Sequence, residues 1–365
     1  MFRYYYLSIF FLKNPTQKTK HFRIKTYCFP ITFNMKALIP VAGAGIRLRP
    51  HTYTQPKPLI PVAGKPILAH IIDELVEAGF KEFVFVIGYL GEKVKDFVEN
   101  NYKNLSCVFI IQEERQGLAH AIWMAKEAIK DDEELFIALG DTVFDMDLTT
   151  MIQSPTTCFG VKEVADPRDF GIVELDNNRF VKKVIEKPRI PHSNLALVGL
   201  YKIHEVNELL RGIEYNIKND IRTNGEFQLA DALQRMIDAG VKMTTIAVNN
   251  WFDCGKKEIL LETNAMLLQK NNAYDVDLPV YDNTIIVHPV SIGENCTITD
   301  SIIGPYVTIA ANTKIDASII RDSIIGSYSN LREIILNKSI IGSDTSIRGI
   351  RRSLNIGDNT EIDFS

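Results

Sequence analysis

The chain has 365 residues, enough for two or three domains at roughly 150 residues each, and its 46% hydrophobic and 24% charged content suits a globular protein with a sizeable core. The net charge of -4 is uneven: residues 1–34 carry Arg3, Lys13, Lys18, Lys20, Arg23 and Lys25 and no acid, which leaves the remainder at -10. An acidic body excludes a general nucleic-acid binder. Five scattered cysteines (Cys28, Cys107, Cys158, Cys254, Cys296) with no C-x-x-C pair exclude a disulfide framework or zinc site and fit a reducing cytoplasm.

Residues 4–12 form an apolar run too short to cross a bilayer, which takes roughly 20 residues, so no membrane span is expected. No small-x-small cleavage site follows it. Met35 opens a clean strand, so residues 1–34 are expected to be a spurious or disordered extension; a membrane-associating tail and a targeting peptide are the alternatives.

From Met35 onward, buried strands are expected at 37–42, 83–87, 108–111 and 135–139. Helical periodicity falls between them at 67–78 (stopping at Gly79), 92–100 and 118–129. Strands separated by helices imply βαβ units, and near-continuous apolar strands imply a mostly parallel sheet covered on both faces. Ligands of such sheets sit at the carboxyl ends of the strands.

After about Asp275 the helical period disappears. Ile-Gly pairs recur at Ile292-Gly293, Ile303-Gly304, Ile325-Gly326, Ile341-Gly342 and Ile356-Gly357, with further aliphatic residues five or six positions apart. That pattern predicts stacked coils of a parallel β-helix over 278–365, with glycines at the corners. Residues 35–277 then form an α/β domain with a Rossmann-like, mostly parallel mixed sheet.

The chemistry-bearing motifs lie in the first domain. Gly43-Ala-Gly45-Ile-Arg47-Leu-Arg49-Pro50 follows the first strand and leads to Pro56-Lys57-Pro58-Leu59. A glycine-rich turn lets backbone N–H groups approach phosphate oxygens, and Arg47 and Lys57 supply positive charge. Neither a Walker A run nor the third Rossmann glycine is present. Gln112-Glu-Glu-Arg-Gln-Gly117 follows the third strand, and a side-chain amide can pair with both a donor and an acceptor on a base edge. Asp141 ends the fourth strand and Asp253 lies more than a hundred residues later; two carboxylates suit a hard cation completed by phosphate oxygens. Asp169-Phe170-Gly171, Ile185-Glu186-Lys187-Pro188, Val198-Gly199 and Gly225-Glu226 complete the set. Each alone reads as a turn, a packed residue or a surface ion pair. His120 reads as a packed helix residue.

In this order the motifs resemble those of the sugar-phosphate nucleotidyltransferase family, most like the long form of glucose-1-phosphate thymidylyltransferase with a C-terminal left-handed β-helix. The resemblance implies that Gly43, Gly45 and Arg47 cradle a nucleoside triphosphate with Lys57 on phosphate, and that Gln112, with Gly117 beside it, reads thymine or uracil. It implies that Asp141 and Asp253 hold Mg2+, that Glu186 and Glu226 bind sugar hydroxyls, and that Lys187 holds the sugar phosphate. Gly171 and Val198 would present backbone groups to the sugar. Arg47, Lys57, Asp141 and Lys187 would be the catalytic set. Ile46 stands where the family carries Thr or Ser, which removes a hydroxyl beside the phosphates. The reaction implied joins a sugar 1-phosphate, foremost glucose 1-phosphate, to dTTP or UTP and releases pyrophosphate. The alternatives are a nucleotide-sugar sensor or assembly subunit, favoured only by Ile46, and acyl transfer in the β-helix, which offers a single histidine, His288, at its start. The tail is expected to pack subunits into a homo-oligomer or to steady the catalytic domain.

Overall fold

The computed structural model describes residues 35–270 and 278–349. The expectations for residues 1–34 and for the Ile356-Gly357 repeat lie outside the described residues.

The first strand, β1 (Lys36–Pro40), runs into the glycine-rich loop. After it come α1 (Ile67–Glu77), β2 (Glu82–Ile87), α2 (Gly91–Asn101) and β3 (Ser106–Ile111). Two short helices follow, α3 (Leu118–Met124) and α4 (Lys126–Ile129), where a single helix over 118–129 is expected from the periodicity. The ladder breaks at Ala125, whose N–H donates to Ile122 O at 3.1 Å in a 3-10 turn. The chain continues through β4 (Leu135–Ala138), β5 (Thr142–Asp145), β6 (Cys158–Glu163), β7 (Gly171–Leu175), β8 (Val181–Glu186) and β9 (Leu195–Ile203). The domain closes with α5 (Val206–Lys218), α6 (Leu229–Asp238), β10 (Thr244–Ala247), β11 (Asn250–Asp253) and α7 (Lys257–Lys270).

The central sheet runs β8-β7-β9-β4-β1-β2-β3, with β6 beside β9 and β10 beside β6. Its β4-β1-β2-β3 portion is parallel, whereas β9 pairs antiparallel with β4, β6 and β7. Alternation along the central strands sorts their apolar side chains between two cores. Ala37, Ile39, Phe83, Phe85 and Ile87 enter one, while Leu38, Val84 and Val86 enter the other. Double-sided burial is why these strands read as unbroken apolar runs. β3 departs from that expectation: it is the sheet edge, and Val108 and Ile111 are exposed.

Gly79 stops α1 as the sequence suggests. At φ 106° it lets its own N–H donate to Val76 O and that of Phe80 to Leu75 O, the two bonds of a Schellman cap. The chain leaves β1 toward β2 and β3 on one side and returns to β4 on the other. The carboxyl ends of β1 and β4 are therefore a switch point, where a crevice opens.

Residues 285–348 form a left-handed parallel β-helix of three sheets, each four strands deep. Its inward columns are Ile286-Ile303-Ile320-Leu336, Ile292-Ile309-Ile325-Ile341 and Ile298-Ile315-Leu331-Ile347. The corners correct the sequence expectation. Among the described residues, positive φ in the coils falls on Asn295, Asn312, Tyr328 and Asp344 in one column, Asn283, Asp300, Ala317 and Glu333 in a second, and Tyr306, Asp322 and Lys338 in a third, with Gly304 the glycine in that conformation. Gly293 and Gly326 serve close packing instead: a Cβ on Gly326 would stand 2.5 Å from Ser343 N of the next coil, and one on Gly293 2.6 Å from Ala311 N.

Asn264 of α7 fastens the β-helix to the α/β domain. Its Oδ1 accepts from Ala63 N at 2.8 Å and Thr308 Oγ1 at 2.6 Å, and its Nδ2 donates to Tyr306 O at 3.1 Å. Ile324 of the β-helix joins the α/β core beside this amide. No helix among the described residues is long and apolar enough to cross a membrane.

Candidate active site

The glycine-rich loop leaves β1 and turns at Gly45, which adopts φ 60°. A side chain there would be strained and would also meet Lys57 Cβ at 2.9 Å, so the loop lies directly on the Lys57 segment. Thr52 locks it by donating from Oγ1 to Gly45 O at 2.9 Å. Arg47 lies in the following 3-10 turn with its side chain 54% exposed. Gly43 and Ile46 are exposed.

Asp141 follows β4, and Asp253 ends β11. The antiparallel β5–β11 ribbon, in register from Asn250↔Asp145 to Asp253↔Thr142, brings them together. Cys254 N completes it by donating to Asp141 O at 3.0 Å. Gly140 permits the approach of β4 to the loop after β1: a Cβ there would stand 2.2 Å from Val41 Cγ1.

The two carboxylates share one cation. Lys57 Nζ, on a side chain only 8% exposed, is 2.5 Å from Asp141 Oδ2 and 3.6 Å from Asp253 Oδ1. Arg47 Nη2 is 3.6 Å from Asp253 Oδ2. Burial alone pushes the Asp141 carboxyl up, but Lys57, by charge and hydrogen bond, together with Arg47, holds it below the usual carboxylate range. Burial pushes the neighbouring Cys254 thiol up to about 12, so it stays protonated and is no nucleophile.

Across the cleft, β7 and β8 pair with Gly171 opposite Glu186, and a Cβ on Gly171 would stand 2.9 Å from Glu186 Oε2. Glu and Lys adjacent on a regular strand face opposite ways. Lys187 escapes this by adopting φ 42°, anchored by its N–H to Phe170 O at 3.0 Å, and its Nζ returns to 3.6 Å from Glu186 Oε1. Burial, reinforced by Asp231 and Glu226, pushes the Glu186 carboxyl up against the opposing pull of Lys187. At Val198-Gly199 the β6–β9 register shifts, and Gly199 takes φ 83°. The irregularity leaves backbone at the cleft wall.

The cavity between these groups is about 170 Å³ and is lined by Arg47, Asp141, Asp253, Gly171, Glu186 and Val198, among others. Three further lining residues were not singled out as site residues from the sequence. Tyr201 is buried with its hydroxyl pKa pushed up by that burial, Trp251 meets Phe170 edge-on at 4.8 Å, and Gln228 is held by Thr223 O and Glu226 Oε2. The Trp251 indole N–H is buried without a hydrogen-bond partner among the described residues. Glu226 itself is exposed and outside the cavity lining, and it accepts a hydrogen bond from Gln228, which lines it.

Gln112 and Gly117 flank the entry to α3, next to Leu118 in the cavity wall. Gln112 is buried, and its Nε2 lies 3.3 Å from Gly117 O and 2.9 Å from His120 Nδ1. Gly117, at φ 105°, packs so closely on the 221–228 turn that a Cβ would stand 2.5 Å from Phe227 O.

Asp141 and Asp253 offer an oxygen-only pair around one positive charge. Among the described residues no three His, Cys, Asp or Glu side chains form a metal cage. A pair of carboxylates completed by substrate phosphates is nevertheless the usual Mg2+ arrangement, so the donors present fit that ion. A larger depression of about 560 Å³ between α1 and the end of α7 is a poorer candidate, because none of the motif residues lines it.

Comparison with known proteins agrees with this geometry. Residues 36–270 match the family model described as nucleotidyl transferase. A glucose-1-phosphate thymidylyltransferase from Streptomyces antibioticus is 30% identical over 328 residues, covering 87% of this chain and 90% of that protein. The bifunctional protein GlmU of Methanocaldococcus jannaschii is 37% identical over 262 residues, 71% of this chain and 60% of its own length. Among solved structures, a UDP-glucose pyrophosphorylase complexed with UDP-glucose superposes with a TM-score of 0.57 at 24% identity, covering 65% of this chain and 99% of that one, a likeness of fold. The chain belongs to the sugar-phosphate nucleotidyltransferase family.

Proposed function

We propose that the chain transfers a nucleotidyl group from dTTP or UTP to a sugar 1-phosphate, with glucose 1-phosphate the leading acceptor, releasing pyrophosphate. The observation that carries this reading is the convergence of Asp141, Asp253, Lys57 and Arg47 at one end of a cavity whose other end holds Glu186 beside Lys187. One end is built for phosphates and a divalent cation, the other for a neutral polyol carrying an anion.

Asp141 and Asp253 are the residues to hold Mg2+, which when bound supplies positive charge to the α-phosphate. The sugar-phosphate oxygen is already ionised, so no general base is needed. A bond forms from that oxygen to the α-phosphorus as the bond to the pyrophosphate oxygen breaks, and pyrophosphate leaves as an anion. The protein's part is positioning and charge stabilisation. Arg47, exposed beside the glycine-rich loop, is placed for the leaving phosphates. Lys57 fixes the two aspartates from below, and its own approach to phosphate requires it to loosen one of them. Lys187 draws in the sugar phosphate, Glu186 accepts from sugar hydroxyls, and Gln112 faces the base.

Asp141→Asn tests the reading. Asn keeps the shape and leaves Lys57 its contact with Asp253, so the fold should persist while pyrophosphate release falls about 10³-fold or more, the scale of a lost transition-state charge contact. Turnover within tenfold of the parent protein would refute the assignment.

A further inference from the structure

We propose that Asp169 and Phe170 are positioning residues that set the spacing between Lys187, which draws in the acceptor phosphate, and Asp253, which holds the cation. The inference rests on the proposed function, in which two anions meet at that spacing. Reaction asks the attacking oxygen and the α-phosphorus to stand about 3–3.5 Å apart, and like charges oppose the approach. The protein must therefore hold the two ends of its cavity at a fixed distance.

Lys187 and Asp253 stand on different parts of the fold. Asp253 ends β11, which pairs with β5. Lys187 follows β8, the outermost strand of the central sheet. In that sheet β8 pairs with β7, and β7 joins β9 through the single registered pair Ala196↔Ile172. From α6, Gln234 Oε1 accepts from Val184 N at 2.9 Å in the middle of β8. The link from the phosphate end of the cavity comes through the loop before β7.

Two contacts run from that loop to either side of Asp253. Phe170 meets Trp251, on the strand that ends at Asp253, edge-on with ring centroids 4.8 Å apart. Asp169 Oδ2 accepts from Lys256 Nζ, in the turn after Asp253, at 3.3 Å. Phe170 O in turn accepts from Lys187 N at 3.0 Å, the bond that anchors the left-handed Lys187 backbone. A continuous path therefore runs from Lys187 through Phe170 and Trp251 to Asp253, with the Asp169–Lys256 pair beside it. Asp169, Phe170, Trp251 and Asp253 line the cavity. An ion pair this exposed is weak alone, so the ring contact carries the larger share.

The test is single-turnover pyrophosphate release, with KM for each substrate and Tm, for the full chain and five variants: Phe170→Leu, Phe170→Tyr, Asp169→Asn, Lys256→Met, and the last two combined. A residue that sets spacing lowers the chemical rate and leaves each substrate's own binding in place. Phe170→Leu should lower the single-turnover rate about tenfold with either KM changed less than about threefold, and Phe170→Tyr, which keeps the ring, should return to within about threefold of the parent. Asp169 and Lys256 are exposed, so their variants keep the fold. Each should lower the rate about threefold, and the combined variant no further, because all three delete one contact. A Phe170→Leu rate within about twofold of the parent overturns the proposal, as does a loss confined to KM for one substrate, the mark of direct contact with it. Multiplying losses in the combined variant overturn it too. If the unsubstituted chain releases no pyrophosphate from any triphosphate and sugar 1-phosphate, the proposed function itself fails and takes this inference with it, a result visible before any substitution is made.

Discussion

Gly255 follows the second aspartate, and replacing it with alanine isolates the placement of Arg47 from the stability of the fold. Its φ lies outside the left-handed region, so the backbone accepts alanine, and the loss of unfolded-state freedom works slightly in favour of the variant, by about 0.5 kcal/mol. The new methyl group would stand 2.5 Å from Arg47 Nη2, 3.0 Å from Arg47 Cζ and 3.0 Å from Asp253 Oδ1. Both are ends of side chains, and Arg47 is 54% exposed, so it can swing away without disturbing the core. Restoring ordinary contact moves the guanidinium by about 1 Å and breaks its 3.6 Å approach to Asp253. A misplacement of about 1 Å at a catalytic group costs up to about 10²-fold in rate. Gly255→Ala should therefore lower kcat/KM for pyrophosphate release by about 10- to 100-fold while Tm shifts by no more than about 3 °C. In an Arg47→Ala background the same substitution should cost at least about threefold less than it does alone, because the Arg47 contact is already gone and only the 3.0 Å contact with Asp253 Oδ1 remains. Independent, multiplying losses in the double variant, or a Gly255→Ala enzyme within threefold of the parent, would refute the reasoning.

Two further outcomes follow from buried titrating groups. Glu186 has its folded pKa raised, so its ionised form opposes folding and stability falls as pH rises above the ordinary carboxylate value of 4.5; Glu186→Gln should gain Tm relative to the parent as pH rises past that point and raise KM for the sugar 1-phosphate about tenfold, and a variant with no pH-dependent gain contradicts the burial argument. His70, 7% exposed and bonded through Nε2 to Val62 O at 3.0 Å, has its pKa lowered to about 4, so the unfolded chain binds its proton first: stability is whole above about pH 6.5 and falls toward pH 4 by at most about 3 kcal/mol, a slope in urea midpoints that His70→Asn should flatten.

Local features were legible in the sequence, and long-range partnerships were not. The buried strands follow from unbroken apolar runs, the stop at Gly79 from the end of a 3.6-residue period, and the aliphatic columns of the β-helix from a spacing of five to six residues, all of which a short window displays. Asp141 and Asp253 are joined by two four-residue strands that pair across a long intervening chain, and nothing in either strand announces the other. The burial of Lys57 between the carboxylates, the room Gly255 leaves for Arg47, and the His120 partnership with Gln112 likewise depend on tertiary approach. The β-helix corners run against the glycine expectation because the coils place non-glycine residues, chiefly Asn and Asp, in the left-handed conformation and keep most of the described glycines for contact between coils. Glu226, marked by its motif, lies outside the cavity lining and accepts a hydrogen bond from Gln228, two residues on, which lines it.

The central claim is tested most directly by pyrophosphate release with Mg2+ across a grid of five nucleoside triphosphates and several sugar 1-phosphates. The account predicts release with dTTP or UTP and glucose 1-phosphate, and little with CTP, ATP or GTP. Silence across the grid from folded protein that still binds a nucleotide would contradict it and favour a nucleotide-sugar sensor.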